Sequence, residues 1–151
     1  MCGFIAFLQK PEQHCESARV STALYQMRRR GPDAAGEWSG EGIVLGHRRL
    51  TILDLDARAN QPMLSADGRY VIVFNGEIYN FRELRSELEA EGVAFRTTSD
   101  TEVLLALFAR ERERMLPRLR GMFALAIWDA QARELFLARD PYGIKPLYYA
   151  Q

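Results

Sequence analysis

Lysine is scarce in this chain, cysteine and histidine each occur twice, and there is no long apolar run, no surplus charge of either sign and no repeated or low-complexity segment. Each absence removes a class of function. Twenty basic against twenty acidic side chains leave a formal net charge of zero, so the electrostatic footprint of a nucleic-acid binder is missing. A small neutral or zwitterionic substrate suits such a chain better. The basic runs Arg28-Arg29-Arg30 and Arg110 to Arg120 are interleaved with acids or closed by a turn, and read as solvated helix faces. Phe4 to Leu8 is far too short to span a bilayer, so no membrane partner is expected. With no secretory signal pattern, the expected location is cytoplasmic, where Cys2 and Cys15 stay reduced and Cys15 is a bystander. His14 and His47 are too few for a metal cluster and are read as structural. No GxGxxG follows a strand and no phosphate-cradling GxxxxGK motif occurs, which leaves neither a dinucleotide nor a nucleoside triphosphate site in this chain.

What is present begins with Cys2, directly after Met1 and at the head of an apolar segment. If Met1 is removed, thiol and free α-amine share one residue, and a nucleophile meets a general base without a second side chain. An α-amine titrates near 7.7–8.0 and a free thiol near 8.5, so the proton passes between them close to neutrality. Taken alone, Cys2 is equally a small residue tolerated beside an initiator Met. The 151 residues, 48% hydrophobic, suit one domain with a sizeable core.

Cys2 to Leu8 reads as a buried strand. From Glu16, Val20, Leu24 and Met27 at i, i+4 and i+7 predict an amphipathic helix that stops at Arg30-Gly31-Pro32-Asp33. After the glycine-rich Gly36 to Gly42, Ile43-Val44-Leu45 is a second strand delivering Gly46-His47-Arg48-Arg49-Leu50, and Thr51-Ile52-Leu53 a further short strand. Asp54 to Gly68 reads as a surface loop, and Tyr70 to Phe74 as a strand. Asn80 with Glu83, and Ser99 with Glu102, have capping-box spacing ahead of two helices. Met122 to Trp128 and Glu134 to Arg139 flank a hairpin loop. Mixed helices and hairpins favour α+β layers over a βαβ alternation.

A thiolate attacking a carboxamide needs oxyanion donors and partners for the substrate's charged ends. Asn75-Gly76 offers a side-chain amide and an approachable backbone N–H, although the same dipeptide is a common hairpin turn. Arg49 offers a bidentate fork for a carboxylate, with Arg48 an equal rival on chemistry. Asp100 offers a charge for an ammonium, and also sits where a helix-capping carboxylate would.

Met1-Cys2-Gly3, Arg30-Gly31-Pro32-Asp33, Gly46 to Leu50, Asn75-Gly76-Glu77-Ile78-Tyr79-Asn80, Ser99-Asp100 and Arg139 to Tyr149 together resemble, in order and across essentially the whole chain, the glutamine amidotransferase domain of glutamine-hydrolysing asparagine synthetases. The resemblance implies an N-terminal-nucleophile hydrolase fold, a four-layer α/β/β/α sandwich of two antiparallel sheets. It implies that Cys2 is the nucleophile, that Asn75 and Gly76 form the oxyanion hole, that Arg49 binds the glutamine α-carboxylate and that Asp100 receives the α-ammonium. Glu77 and Leu50, Thr51, Ile52 and Leu53 would complete the pocket. The resemblance is what selects Arg49 over Arg48. The implied activity is hydrolysis of L-glutamine to glutamate and ammonia, the ammonia serving ATP-dependent conversion of aspartate to asparagine. ATP and Mg are expected only in a synthetase domain outside residues 1–151, so this chain is read as one type-2 amidotransferase domain without cofactor. Implied partners are L-glutamine and a synthetase domain or subunit. Two alternatives remain: an amidotransferase serving a phosphoribosyl or sugar-phosphate acceptor, and a non-catalytic glutamine-binding fragment. Ala6 stands where the family usually has glycine. The chain is also expected to lack the domain's last strands, exposing a sheet edge through which a homodimer would form.

Overall fold

The computed structural model describes residues 1–9 and 17–150, so His14 and Cys15 lie outside the described residues. Two antiparallel sheets stack face to face. One has the order β1 (Gly3–Leu8), β3 (Ile43–Arg49), β2 (Ala34–Gly40). The other has the order β4 (Met63–Leu64), β5 (Tyr70–Ile78), β6 (Gly121–Asp129), β7 (Glu134–Arg139). Helix α1 (Ser17–Gln26) covers the outer face of the first sheet, and α2 (Phe81–Ala90) and α3 (Asp100–Glu111) cover that of the second. The result is the expected α/β/β/α sandwich. No helix among the described residues is long and apolar enough to cross a membrane.

Strand alternation explains why apolar runs fill three core layers at once. In β1, Phe4 and Ala6 face the other sheet with Ile43, Leu45, Val71, Val73, Ala126 and Trp128. The intervening Ile5 and Phe7 face α1, against Val20, Leu24 and Val44. In β5 and β6, Ile72, Phe74, Leu125 and Ile127 point outward to Leu104, Leu107 and Phe108 of α3. Strands buried on both faces therefore read as continuous apolar segments. The stripe Val20, Leu24, Met27 does form the buried side of α1 and of the 3-10 turn Met27–Arg29 that follows it.

Several local expectations are corrected. Residues 34–40, glycine-rich and not read as a strand, form β2, paired to β3 from Ala34↔Arg49 to Gly40↔Ile43; a complete backbone ladder outweighs weak strand propensity. Thr51-Ile52-Leu53 is not a strand. The Thr51 N–H goes to Asp33 Oδ2 at 2.7 Å and the Leu53 carbonyl to the Arg49 guanidinium, so side chains satisfy backbone groups that a ladder would otherwise take. Asn75-Gly76 is no turn, since β5 runs straight through it with Asn75↔Ala124 and Gly76↔Phe123 in register. A Cβ on Gly76 would lie 2.3 Å from the Met122 carbonyl oxygen, so only glycine lets β6 pass this close. The Asn80 side chain does not cap α2. Its Oδ1 accepts the Arg120 N–H at 2.9 Å and its Nδ2 donates to the Arg118 carbonyl at 2.9 Å. Ser99 does cap α3, accepting the Glu102 N–H at 3.3 Å. The Glu102 carboxylate turns instead to the N–H groups of Arg96 and Thr97. The β6–β7 hairpin forms where expected.

Asp129 closes this hairpin onto the helical layer. Its buried carboxylate accepts from Arg69 Nε and Nη2 at 3.0 and 2.8 Å, from Arg112 Nη1 at 2.7 Å, and from the N–H groups of Gln131 and Ala132. These donors, Arg69 foremost, hold its pKa far below the usual carboxylate range. Asp129→Asn leaves both guanidinium groups facing a neutral amide, and is expected to cost about 3 kcal/mol of unfolding free energy in urea titrations at pH 7. A depressed folded pKa means the stabilisation is complete above the unfolded value near 4 and fades below it. The difference between parent and variant should therefore shrink as pH falls below about 4.

Candidate active site

The pairing Gly3↔Arg48 brings the start of β1 to the end of β3. Cys2 therefore stands beside Leu50, whose N–H donates to Cys2 Sγ at 3.3 Å, while the thiol lies 3.6 Å from the Leu50 carbonyl. The Cys2 carbonyl accepts from Arg30 Nε at 3.3 Å. Sulfur and backbone are thus both held, and the half-buried thiol opens on a small cavity of about 50 Å³. Arg49, Gln61, Gly76, Ser99 and Asp100 share its walls.

Strand alternation separates the two arginines. Arg49 is buried and lines the cavity, whereas Arg48 is not among its walls and keeps a buried Nε without a partner. Arg49 Nη1 donates to the Asp56 carbonyl at 3.1 Å and to Asn60 Oδ1 at 2.8 Å. Its Nη2 donates to the carbonyls of Leu53, at 3.1 Å, and of Asp54. None of these acceptors is a carboxylate, so the guanidinium charge stays unneutralised by these partners while its fork holds the 53–60 loop against the cavity. Asp54 pins the same loop from outside. Its Oδ2 accepts from the Thr98 N–H at 2.6 Å and the Thr98 hydroxyl at 3.1 Å, two residues before Asp100.

Asp100, the first residue of α3, is buried and accepts the Ile78 N–H at 3.0 Å. Burial raises its pKa to about 6 against the pull of the Ile78 and Thr101 N–H groups, and the nearby Glu77 carboxylate pushes the same way.

The direction of the Gly76 N–H follows from its neighbours. In a strand, alternate N–H groups leave on the same side. The Phe74 N–H meets Gln61 Oε1 at 2.6 Å and the Ile78 N–H meets Asp100, both on the edge of β5 away from β6. The Gly76 N–H lies between them on that edge, and Gly76 lines the Cys2 cavity. The Asn75 side chain lies on the inter-sheet face of β5, the face of Val71 and Val73. It is buried, engages no described side chain, and lines a larger groove of about 760 Å³ together with Gly3, Phe4 and Arg30. Leu50, Ile52 and Leu53 wall the cavity, while Thr51 and Glu77 are not among its lining residues.

Two buried groups in this region had escaped the sequence reading or been given no task in it. Gln61 bridges the Phe74 N–H and, at 3.2 Å, the Thr101 hydroxyl, tying β5 to α3; nothing in a polar loop sequence marks it. His47 Nε2 donates to the Phe74 carbonyl at 3.0 Å, linking the two sheets, while burial lowers its pKa to about 4 and keeps the ring neutral. Its part is structural, as expected.

Comparison with known proteins follows this geometry. A family profile described as "Glutamine amidotransferase domain" matches residues 1–151. A putative asparagine synthetase [glutamine-hydrolyzing] of Mycobacterium tuberculosis (strain ATCC 25618 / H37Rv) is 45% identical over 99% of this chain and 25% of its own length. Asparagine synthetase [glutamine-hydrolyzing] 1 of Bacillus subtilis (strain 168) is 46% identical over 99% of this chain and 24% of its own. The chain thus spans about a quarter of these curated relatives. Among solved structures, the glutamine phosphoribosylpyrophosphate amidotransferase of B. subtilis, complexed with ADP and GMP, superposes with a TM-score of 0.75 at 22% identity. The match covers 96% of this chain and 38% of that one, and the likeness is one of fold.

Asp100 gives a prediction that needs no ligand. A folded pKa raised above the unfolded value means stability is lost as pH rises through about 6. Asp100→Asn should therefore melt at a higher temperature than the parent at pH 7.5, with the gap closing near pH 4, in calorimetric scans.

Proposed function

The chain belongs to the glutamine amidotransferase family, and from that membership and the geometry around Cys2 we propose that it performs the glutaminase half-reaction of an asparagine synthetase in the cytoplasm. The observation that carries the reading is the convergence of Cys2, Arg49, Gly76 and Asp100 on one cavity. Its two charged walls suit an amino-acid zwitterion, since Arg49 has no carboxylate among its hydrogen-bond acceptors and Asp100 none but N–H donors. In this reading Arg49 attracts the α-carboxylate of L-glutamine, and Asp100, with Glu77 behind it, takes the α-ammonium. Leu50, Thr51, Ile52 and Leu53 form the rim.

With Met1 removed, the Cys2 α-amine takes the thiol proton and sulfur adds to the side-chain amide carbon of glutamine. The oxyanion is met by the Gly76 N–H in the cavity and by the Asn75 amide, which would turn to it from the adjoining groove. As the C–N bond breaks, the α-ammonium returns its proton to the leaving nitrogen and ammonia departs, leaving a γ-glutamyl thioester. Water, deprotonated by the same amine, adds to the thioester carbonyl; the C–S bond breaks, and glutamate and the thiol are released. The family relation supports delivery of that ammonia to a synthetase domain or subunit, which would bind ATP, Mg and aspartate. Residues 1–151 carry no GxxxxGK sequence motif and act in this reading as one amidotransferase-type domain.

Asn75→Ala should lower kcat by about 10²–10³ with little change in KM, whereas Arg49→Ala should chiefly raise KM for glutamine. Unchanged kcat in the Asn75 variant would remove Asn75 from the oxyanion site. Intact mass after incubation with a glutamine analogue carrying an electrophilic γ-carbonyl should show loss of Met1 and one adduct, suppressed by excess glutamine. A chain lacking Met1 that takes up no adduct would overturn the glutaminase reading.

A further inference from the structure

One buried charge near the nucleophile has no part in this half-reaction. Lys145 is only 7% exposed, although lysines are rarely buried without a carboxylate partner. Among the described residues its side chain hydrogen-bonds to Met1 Sδ, 3.5 Å from Nζ, and a thioether is a weak acceptor. The ammonium is therefore aimed at the residue preceding Cys2, and bond lengths put Met1 Sδ within about 6 Å of the Cys2 nitrogen. The stem starts from a fixed point. The buried Asp140 carboxylate accepts the N–H groups of Tyr142, Ile144 and Lys145 at 3.1, 2.9 and 3.0 Å, and that of Phe123 at 3.2 Å. Phe123 is the register partner of Gly76. The turn that presents Lys145 is thereby bolted to the strand beside the oxyanion site.

We propose that Lys145 is a positioning residue of the glutaminase centre, whose buried ammonium lowers the proton affinity of the Cys2 α-amine and keeps it in its neutral, general-base form near pH 7. The inference rests on the glutaminase reading above, including removal of Met1. Once Met1 is gone the thioether goes with it, and the ammonium faces the new terminus. A cation beside an amine disfavours the protonated amine. The other charges around this point are named readily. Arg30, bound to the Cys2 carbonyl, acts in the same sense as Lys145. Arg49 does too, but the substrate carboxylate neutralises it on binding. Asp100 and Glu77 oppose it when ionised, and the bound α-ammonium compensates them; Asp33 opposes it too but is exposed, so solvent and salt screen it. In the substrate complex, Lys145, Arg30 and Arg48, the register partner of Gly3, remain as cations acting in this sense.

The test is the pH profile of kcat/KM for glutamine hydrolysis by the Met1-free chain and by Lys145→Met. The variant keeps the stem and removes a buried charge, so it should fold; if its melting temperature falls, Lys145→Gln carries the same test. The expected result is an acid limb moved up by about one pH unit, hence about a tenfold loss of kcat/KM on that limb, with KM and the plateau rate nearly unchanged. Lys145→Arg should restore the limb. An active Lys145→Met enzyme with the parental limb would show that Lys145 only fills space, and would leave the glutaminase reading standing. A parent chain that neither hydrolyses glutamine nor takes up the electrophilic analogue would remove both.

Discussion

Gly3 sits opposite Arg48 in the β1–β3 pair, and that register step sets Cys2 Sγ 3.3 Å from the Leu50 amide with the Arg49 side chain in the same cavity. A slip by one residue would turn every side chain of β1 to the opposite face, placing Phe4 and Ala6 against α1 and Ile5 and Phe7 between the sheets. The packing of both core layers and the placement of the thiol thus depend on one pairing. His47, two residues before Arg49, pins that strand to β5 through the Phe74 carbonyl, so the two walls of the cavity move as one body.

Charge is handled differently at the two ends of the second sheet. At the hairpin, Asp129 meets two guanidinium groups and two backbone N–H groups, and its ionisation stabilises the fold. At the cavity, Arg49 is held by carbonyl and amide oxygens, and Asp100 by an N–H donor. These polar contacts lock geometry without cancelling charge. Burial raises the pKa of Asp100, and no cation among its hydrogen-bond partners offsets it. Lys145, buried against Met1 Sδ, follows the same pattern. A buried, unneutralised charge costs stability, and the two at the cavity match the zwitterionic ligand proposed above.

The loop over the cavity shows how backbone groups outside any ladder are satisfied. Residues 50–60 form no strand, yet Asp33, Arg49 and Asp54 supply donors and acceptors to them or tie them to α3. The segment is irregular, and the side chains of Asp33, of Arg49 in β3 and of Asp54 within the loop itself give it one conformation.

The sequence by itself determined the elements whose signals are local. The apolar runs of β1, β3 and β5, the stripe of α1, the Ser99 cap and the β6–β7 hairpin were all legible, because burial periodicity and capping act over a few residues. So were the residue types of the candidate site, as motifs. Tertiary structure alone decided the rest. The glycine-rich β2 exists because β3 offers it a full ladder, and Asn75-Gly76 stays extended because β6 passes beside it, neither of which propensity encodes. Strand alternation puts Arg49 rather than Arg48 in the cavity, the choice that the family resemblance had made and residue chemistry had left open. Gln61 and Lys145 carry no local signal, since their importance lies in what the fold brings to them, a β5 amide in one case and the chain's first residue in the other.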